Sequence, residues 1–236
     1  MKGKTIVITG AANGIGKAWA LGFHKENAHV IAADIDSRQL ESLADQGITT
    51  EKVDVRNPEQ VSELLDNANN KTGRVDILFN NAGIAFGPTL EKAPDRQFED
   101  HVSVHLFGCV HGMRSAIPIM RAQGSGRIIN TISRNAEVDV PGTSAYSAAK
   151  AAIWAASRVA ARETSDADIL INMLIPGPTN TQIWGKDRPE LQAPETTFPT
   201  AKMLATLPSG GPTGKVFWDK KEYRLFDPNN NIQKAR

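Results

Sequence analysis

The chain is nearly without cysteine: Cys109 stands alone in 236 residues. That excludes an intrachain disulfide framework, and a free thiol suits a reducing compartment. It has no surplus of either charge, since 27 Lys and Arg stand against 26 Asp and Glu for a net +1. A binder of the phosphate backbone needs a strong positive field, so nucleic acid is excluded as a general partner. No uncharged apolar run reaches the roughly eighteen residues of a membrane span, so no membrane partner is expected. The run Thr5-Ile6-Val7-Ile8 behind Lys2 and Lys4 is too short for a signal-peptide core and lacks a small-residue cleavage site. No internal repeat and no low-complexity block interrupts the chain. What is there is ordinary globular usage, 40% hydrophobic and 22% charged. The expectation is one cytoplasmic domain over residues 1–236, with a core that needs no staple.

Short β-branched or apolar runs alternate with longer helical patterns. Strands are predicted at residues 4–9, 29–34, 49–55, 75–80, 127–132 and 169–175, with a last one near 215–218 or 223–226. Helices are predicted at 14–26, 37–46, 58–70, 95–120 and 144–163, and a short one at 200–207. Asn57-Pro58 places proline in a first turn, and Ser37 and Ser144 can cap. This alternation predicts an α/β fold, a parallel sheet with helices on both faces. The proline-rich stretch 176–212 is expected to be helical only in pieces, with a substrate lid over 182–200, and the polar tail 227–236 to fray.

The turn Thr9-Gly10-Ala11-Ala12-Asn13-Gly14-Ile15-Gly16 follows the first strand and opens the first helix. Glycines there let backbone N–H groups approach a pyrophosphate, and the helix N-terminus adds partial positive charge. The bland alternative is a glycine-rich chain reversal. Asp34 ends the second strand, where a carboxylate can accept from a ribose diol and repel a 2′-phosphate. Asn13 and Ile35 occupy positions where NADP would want a cation, so the expected cofactor is NAD rather than NADP. Asp34, or Asp36 beside it, can instead serve as a helix cap.

Tyr146-Ser147-Ala148-Ala149-Lys150 sets a phenol and an ammonium four residues apart on one face of a predicted helix. A phenol is a poor base near neutrality, and a neighbouring cation lowers its pKa and lets it exchange a proton with an alcohol oxygen. Taken alone, such a pair is also common as an amphipathic surface.

The ordered combination resembles the short-chain dehydrogenase/reductase family. The residues that carry it are the turn 9–16, Asp54-Val55, Asn80-Asn81-Ala82-Gly83, Ser133, Tyr146 with Lys150, and Asn172, Pro176-Gly177 and Thr181. The resemblance is dense from residue 4 to about 181 and thin beyond. It implies a doubly wound Rossmann-type sheet of seven parallel strands. It implies hydride transfer between a nicotinamide cofactor and a secondary alcohol or ketone. Tyr146 would be the general acid/base, Ser133 the holder of the substrate oxygen, and Lys150 the ligand of the nicotinamide ribose that depresses the tyrosine pKa. Cofactor contacts carried over fall on Thr9, Gly10, Asn13, Gly14, Ile15, Gly16, Asp34, Asp54, Val55, Asn81, Ala82, Gly83, Tyr146, Lys150, Pro176, Gly177 and Thr181. A homodimer or homotetramer is implied too.

Several positions depart from that pattern. His105 stands where the family has an asparagine that supports a water in the proton relay, partly through its backbone. A backbone role would survive the exchange, a side-chain role need not, and an imidazole can add its own titration. His101 and His105 have zinc-gripping spacing, but no Glu/Cys pattern completes a site, so no metal is expected. Arg134, Asn135, Glu137 and Asp139 replace small residues near the substrate. Asn135 or Glu137 would then line a polar pocket, unless the stretch is a solvated loop, and Trp184 would form a wall. Two other readings stand beside the NAD-dependent one: a catalytically silent nucleotide-binding regulator, and an NADPH-dependent 3-oxoacyl thioester reductase.

Overall fold

The computed structural model describes residues 1–84 and 86–230. Its centre is one sheet with strand order β3-β2-β1-β4-β5-β6-β7-β8. The strands are β1 Thr5–Thr9, β2 His29–Asp34, β3 Thr49–Lys52, β4 Ile77–Asn80, β5 Ser125–Thr131, β6 Asp168–Ile175, β7 Val216–Trp218 and β8 Lys221–Tyr223. All neighbours through β7 pair in parallel, and β8 returns antiparallel on β7. The sheet therefore has eight strands where seven were expected. The extra one forms because Asp219 and Lys220 both take positive φ, 46° and 62°, and fold the chain back in a two-residue hairpin.

The helices are α1 Gly14–Lys25, α2 Ser37–Ala44, α3 Pro58–Thr72, α4 Asp95–His101, α5 Gly108–Gln123, α6 Ser144–Glu163 and α7 Phe198–Ala205. Side chains alternate across a strand, and the sequence exploits it. Ile6 and Ile8 face Trp19, Phe23, Leu43 and Leu204, on the side of α1, α2 and α7. Val7 faces Leu64, Leu65, Met113 and Met120, on the side of α3 and α5. Each such large side chain, when fully buried, contributes about 1.5–3 kcal/mol. Asn57 caps α3 by accepting from the N–H of Gln60 at 2.9 Å, with Pro58 in the first turn.

The helix expected over 95–120 is broken. α4 and α5 are joined by a π-helical turn, Val102–Phe107, which holds His105. The tail is anchored through Asn230 by contacts described below, and residues 231–236 of the expected frayed tail lie outside the described residues. No helix among the described residues is long and apolar enough to cross a membrane.

Two features aim the fold at one edge. The strand order reverses between β1 and β4, which opens a crevice at their carboxyl ends. A buried polar ladder then fixes α6 beside it. Asn80 Nδ2 donates to Asn130 Oδ1 on the neighbouring strand, Asn130 Nδ2 donates to Ser157 Oγ on α6, both at 2.8 Å, and Ser157 donates to the Ile153 carbonyl.

Candidate active site

The glycine-rich turn is built by close packing before any ligand is considered. A Cβ on Gly16 would lie 2.1 Å from the Gly10 carbonyl oxygen, and one on Gly10 would lie 2.6 Å from the Ala82 Cα. Thr9 Oγ1 accepts from the amides of Asn81 and Ala82, and Asn81 Nδ2 donates to the carbonyls of Thr9 and Gly10, both at 3.2 Å. Thr9, Gly10, Gly16, Asn81 and Ala82 thus clamp β1 to β4. That leaves the α1 N-terminus, at Asn13, Gly14 and Ile15, open to an anion. Asn13 caps with no side-chain bond, and the first-turn amides of a helix have no intrahelical acceptor. Thr181 meets this end from across the crevice, its Cγ2 3.1 Å from where a Cβ of Gly14 would be.

Asp34 Oδ2 accepts from the Ala12 amide at 3.0 Å and Oδ1 from the Asp36 amide, so its carboxylate faces the glycine turn. The capping role falls to Asp36, which accepts from the amides of Arg38 and Gln39. Asp54 is held by Arg56, with Nη2 at 2.6 Å and Nε at 2.9 Å, and the guanidinium keeps its carboxyl below the ordinary range. The Val55 carbonyl is bonded to His111 Nδ1 at 3.0 Å. Asp54 and Val55, expected as cofactor contacts, therefore have this carboxylate and this carbonyl engaged.

Ser133, Tyr146 and Lys150 converge past the end of β5. Ser133 has extended backbone, φ −145°, and its Oγ accepts from the Asn135 amide at 3.1 Å. Asn135 therefore enters the site through its backbone, and the serine proton is left free for another acceptor. Tyr146 and Lys150 lie one turn apart on α6, both buried, with Lys150 Nζ 5.5 Å from the phenol ring centre. Nζ donates to the Thr131 carbonyl at 2.7 Å.

The electrostatics differ from the expected depression of the tyrosine by the lysine. Burial pushes the Tyr146 phenol up to about 12, opposed only by the hydrogen-bonding Ser133 hydroxyl. Burial also brings the Lys150 ammonium down to about 8. Desolvation disfavours both charged forms and sets the direction of both shifts. Near neutrality the phenol keeps its proton and the lysine its charge.

An aromatic cage surrounds the phenol. Phe86, His105 and His101 meet the Tyr146 ring edge-to-face at 4.8, 5.1 and 6.1 Å. Trp184 packs on Phe86 at 5.2 Å, so it stands behind Phe86, and its Nε1 donates to the Thr179 carbonyl. The segment after β6 is tied back on itself by Gln192, whose Nε2 donates to the Pro176 carbonyl and to Thr179 Oγ1. Phe86 was missed from the sequence, where one phenylalanine just before a glycine-proline pair gives no distinguishing signal.

Glu137 is corrected by the structure. Its carboxylate, 1% exposed, accepts from the Tyr223 hydroxyl, the Phe226 amide and Asn230 Nδ2. It ties the C-terminal segment to the loop behind Ser133 and does not line a pocket. Among the described residues no group of three or more His, Cys, Asp or Glu comes together as a metal site.

The family model described as short chain dehydrogenase matches residues 4–192. The chain belongs to the short-chain dehydrogenase/reductase family. A 3-oxoacyl-acyl-carrier-protein reductase, FabG, of Thermotoga maritima is 32% identical over 89% of this chain and 85% of its own. A D-beta-hydroxybutyrate dehydrogenase of Rhizobium meliloti is 32% identical over 79% and 76%. Among solved structures, a 3-ketoacyl-(acyl-carrier-protein) reductase from Brucella melitensis complexed with NADH is 27% identical, with a TM-score of 0.86 over 92% of this chain and 96% of that one. This short-chain dehydrogenase/reductase is an oxidoreductase of CH–OH and keto groups built on a nicotinamide-nucleotide fold.

Proposed function

We propose that the protein moves a hydride between NAD(H) and a secondary alcohol or ketone, with Tyr146 as the general acid/base. The observation that carries this is the meeting of Ser133, Tyr146 and Lys150 beside the β1/β4 crevice. Asn13, Gly14 and Ile15 would hold the pyrophosphate, Asp34 the adenosine ribose, and Gly83, Pro176, Gly177 and Thr181 the nicotinamide half. Asp34 supports NAD, because its carboxylate already accepts two amides and would stand against a 2′-phosphate. When bound, the dinucleotide supplies or accepts the hydride.

The chain's own residues do the rest. In ketone reduction, Ser133 and Tyr146 donate hydrogen bonds to the carbonyl oxygen, where charge grows as the hydride reaches carbon. The phenol proton passes to that oxygen, and the Lys150 ammonium stabilises the phenolate left behind. In alcohol oxidation the same groups work in reverse, from the phenolate. Phe86, with Trp184 behind it, walls the Tyr146 side and excludes water. A homodimer or homotetramer paired across α5 and α6 is supported by the exposed Phe107 at the head of α5 and Val159 on α6.

A 3-oxoacyl thioester as the ketone is the second reading, favoured by the names of two relatives. The regulator reading is opposed by the complete serine, tyrosine and lysine set. A panel of alcohols, ketones and 3-oxoacyl thioesters, run with NAD(H) and NADP(H), tests all three beside Tyr146→Phe. Turnover that survives Tyr146→Phe contradicts the mechanism. No turnover with any substrate favours the regulator.

A further inference from the structure

Ser133 is bracketed along the chain by residues whose partners lie in the last part of the protein. Just before it, Ile132 is buried in one apolar cluster with Leu225, Ile153 and Val216. Just after it, the Arg134 guanidinium lies over the rings of Trp218 on β7 and Tyr223 on β8, 5.2 and 5.9 Å from their centres. Glu137 then gathers the Tyr223 hydroxyl, the Phe226 amide and Asn230 Nδ2 on one buried carboxylate. Asn230 also donates to the Arg224 carbonyl at 2.7 Å, which closes residues 224–230 into a hook.

Between these anchors lies the turn that sets the serine hydroxyl. Arg134–Ala136 form a single 3-10 turn, in which the Ala136 amide donates to the Ser133 carbonyl at 3.1 Å and the Glu137 amide to the Arg134 carbonyl at 2.9 Å. The Asn135 amide, inside that turn, holds Ser133 Oγ, and the same hydroxyl bonds the Tyr146 phenol. Glu137 ends the turn, so a shift of its carboxylate moves the Asn135 amide and the hydroxyl bonded to it. Leu225 alone would hold the hook in place. A buried carboxylate with its donors satisfied also fixes direction. The hook is strained where it meets that carboxylate. Phe226 takes φ 61°, in the left-handed region that a bulky side chain avoids, and its amide is one of the Glu137 donors. Its ring packs edge-on against Trp154 of α6 at 5.0 Å. Such strain persists where the surroundings over-determine it, and it gathers at functional sites.

Resting on the hydride-transfer reading above, we propose that Glu137, held by the C-terminal hook 224–230, is a positioning residue that aims the Ser133 hydroxyl at the reacting oxygen. A double-mutant cycle on the full chain tests this, because a residue acting through Ser133 has nothing to act on once that hydroxyl is gone. Single-turnover hydride transfer from NADH to a ketone is timed in wild type, Glu137→Ala, Ser133→Ala and the double variant, beside titration with NADH. Glu137→Ala should slow transfer about tenfold in the wild-type background, since small misplacements of reacting groups cost that much. In the Ser133→Ala background it should slow transfer less than about twofold. The Kd for NADH should stay within about twofold throughout, because the Glu137 partners lie away from the glycine turn. Glu137→Gln, which keeps an acceptor oxygen, should recover part of the rate. Should Glu137→Ala not fold, Tyr223→Phe, which removes one donor and keeps the ring, takes its place in the same cycle with a smaller loss of the same pattern. Equal slowing in both backgrounds, no slowing in wild type, or a rise in the NADH Kd that matches the loss of rate overturns the inference and leaves the proposed function standing. A wild-type protein that binds NADH but reduces no ketone overturns the hydride-transfer reading and this inference with it.

Discussion

Replacing Lys150 by methionine should change how stability depends on pH. The buried ammonium is brought from its ordinary 10.5 down to about 8. Below pH 8 both folded and unfolded chains hold that proton, and the folded chain bears the full cost of the buried charge. Between 8 and 10.5 only the unfolded chain holds it, so the folded form gains as pH rises. At about 1.36 kcal/mol per pH unit the cost is about 3 kcal/mol at pH 7, falling to about 1 kcal/mol at pH 9.5. The thioether of the variant has no such cost. It does leave the Thr131 carbonyl without its donor, worth about 1–3 kcal/mol at every pH. The sign of the difference at pH 7 is therefore a contest between two similar terms, and the slope is the test. Urea unfolding of both proteins at pH 7, 8.5 and 9.5 should show wild type gaining about 2 kcal/mol on Lys150→Met over that range. That range stays below pH 10, above which loss of the Tyr146 proton in the unfolded chain would lower the stability of both. A difference constant with pH would refute the burial argument for Lys150.

Further expectations follow from the same geometry. The phenol, held near 12, stays protonated through pH 9, so ketone reduction should be flat from pH 6 to 9 while alcohol oxidation climbs; pH profiles in both directions check this. Glu137→Ala strands the Tyr223, Phe226 and Asn230 donors and should cost about 2–4 kcal/mol, read by urea unfolding and by faster tryptic cleavage at Arg224. Its effect on kcat/KM should be equal for polar and apolar ketones. Gly16→Ala drives a Cβ into the Gly10 carbonyl and should cost about 2–3 kcal/mol and NAD affinity, measured by urea unfolding and titration. Asp34→Ala should raise kcat/KM for NADP relative to NAD about tenfold, in parallel assays.

The sheet was legible where strands are buried on both faces. The apolar runs of β1, β2, β5 and β6 locate them within a residue or two, while β3, with Glu51 and Lys52 at its end, is shorter than the predicted 49–55. The π-helical turn was not legible, because residues 95–120 keep a helical pattern throughout and the insertion changes only the register. β8 depends on a tight turn with both Asp219 and Lys220 in left-handed conformation, and lysine stands where the glycine that usually marks such a turn would be. In the site, spacing alone brings Tyr146 and Lys150 together, and the strand end brings Ser133. Glu137 could not be read, since its partners lie 86 to 93 residues away. The direction of the Tyr146 shift also escaped the sequence, because a motif shows a neighbouring charge but not the burial that raises the phenol.

The central claim is tested most directly by following an isotope. NADH carrying deuterium at the reactive position, given with a ketone that turns over, should deliver the label to the carbinol carbon. Ser133→Ala and Tyr146→Phe should each slow that transfer at least a hundredfold while the Kd for NADH stays within about twofold. Deuterium lost to water, or transfer at the wild-type rate in Tyr146→Phe, would contradict the account.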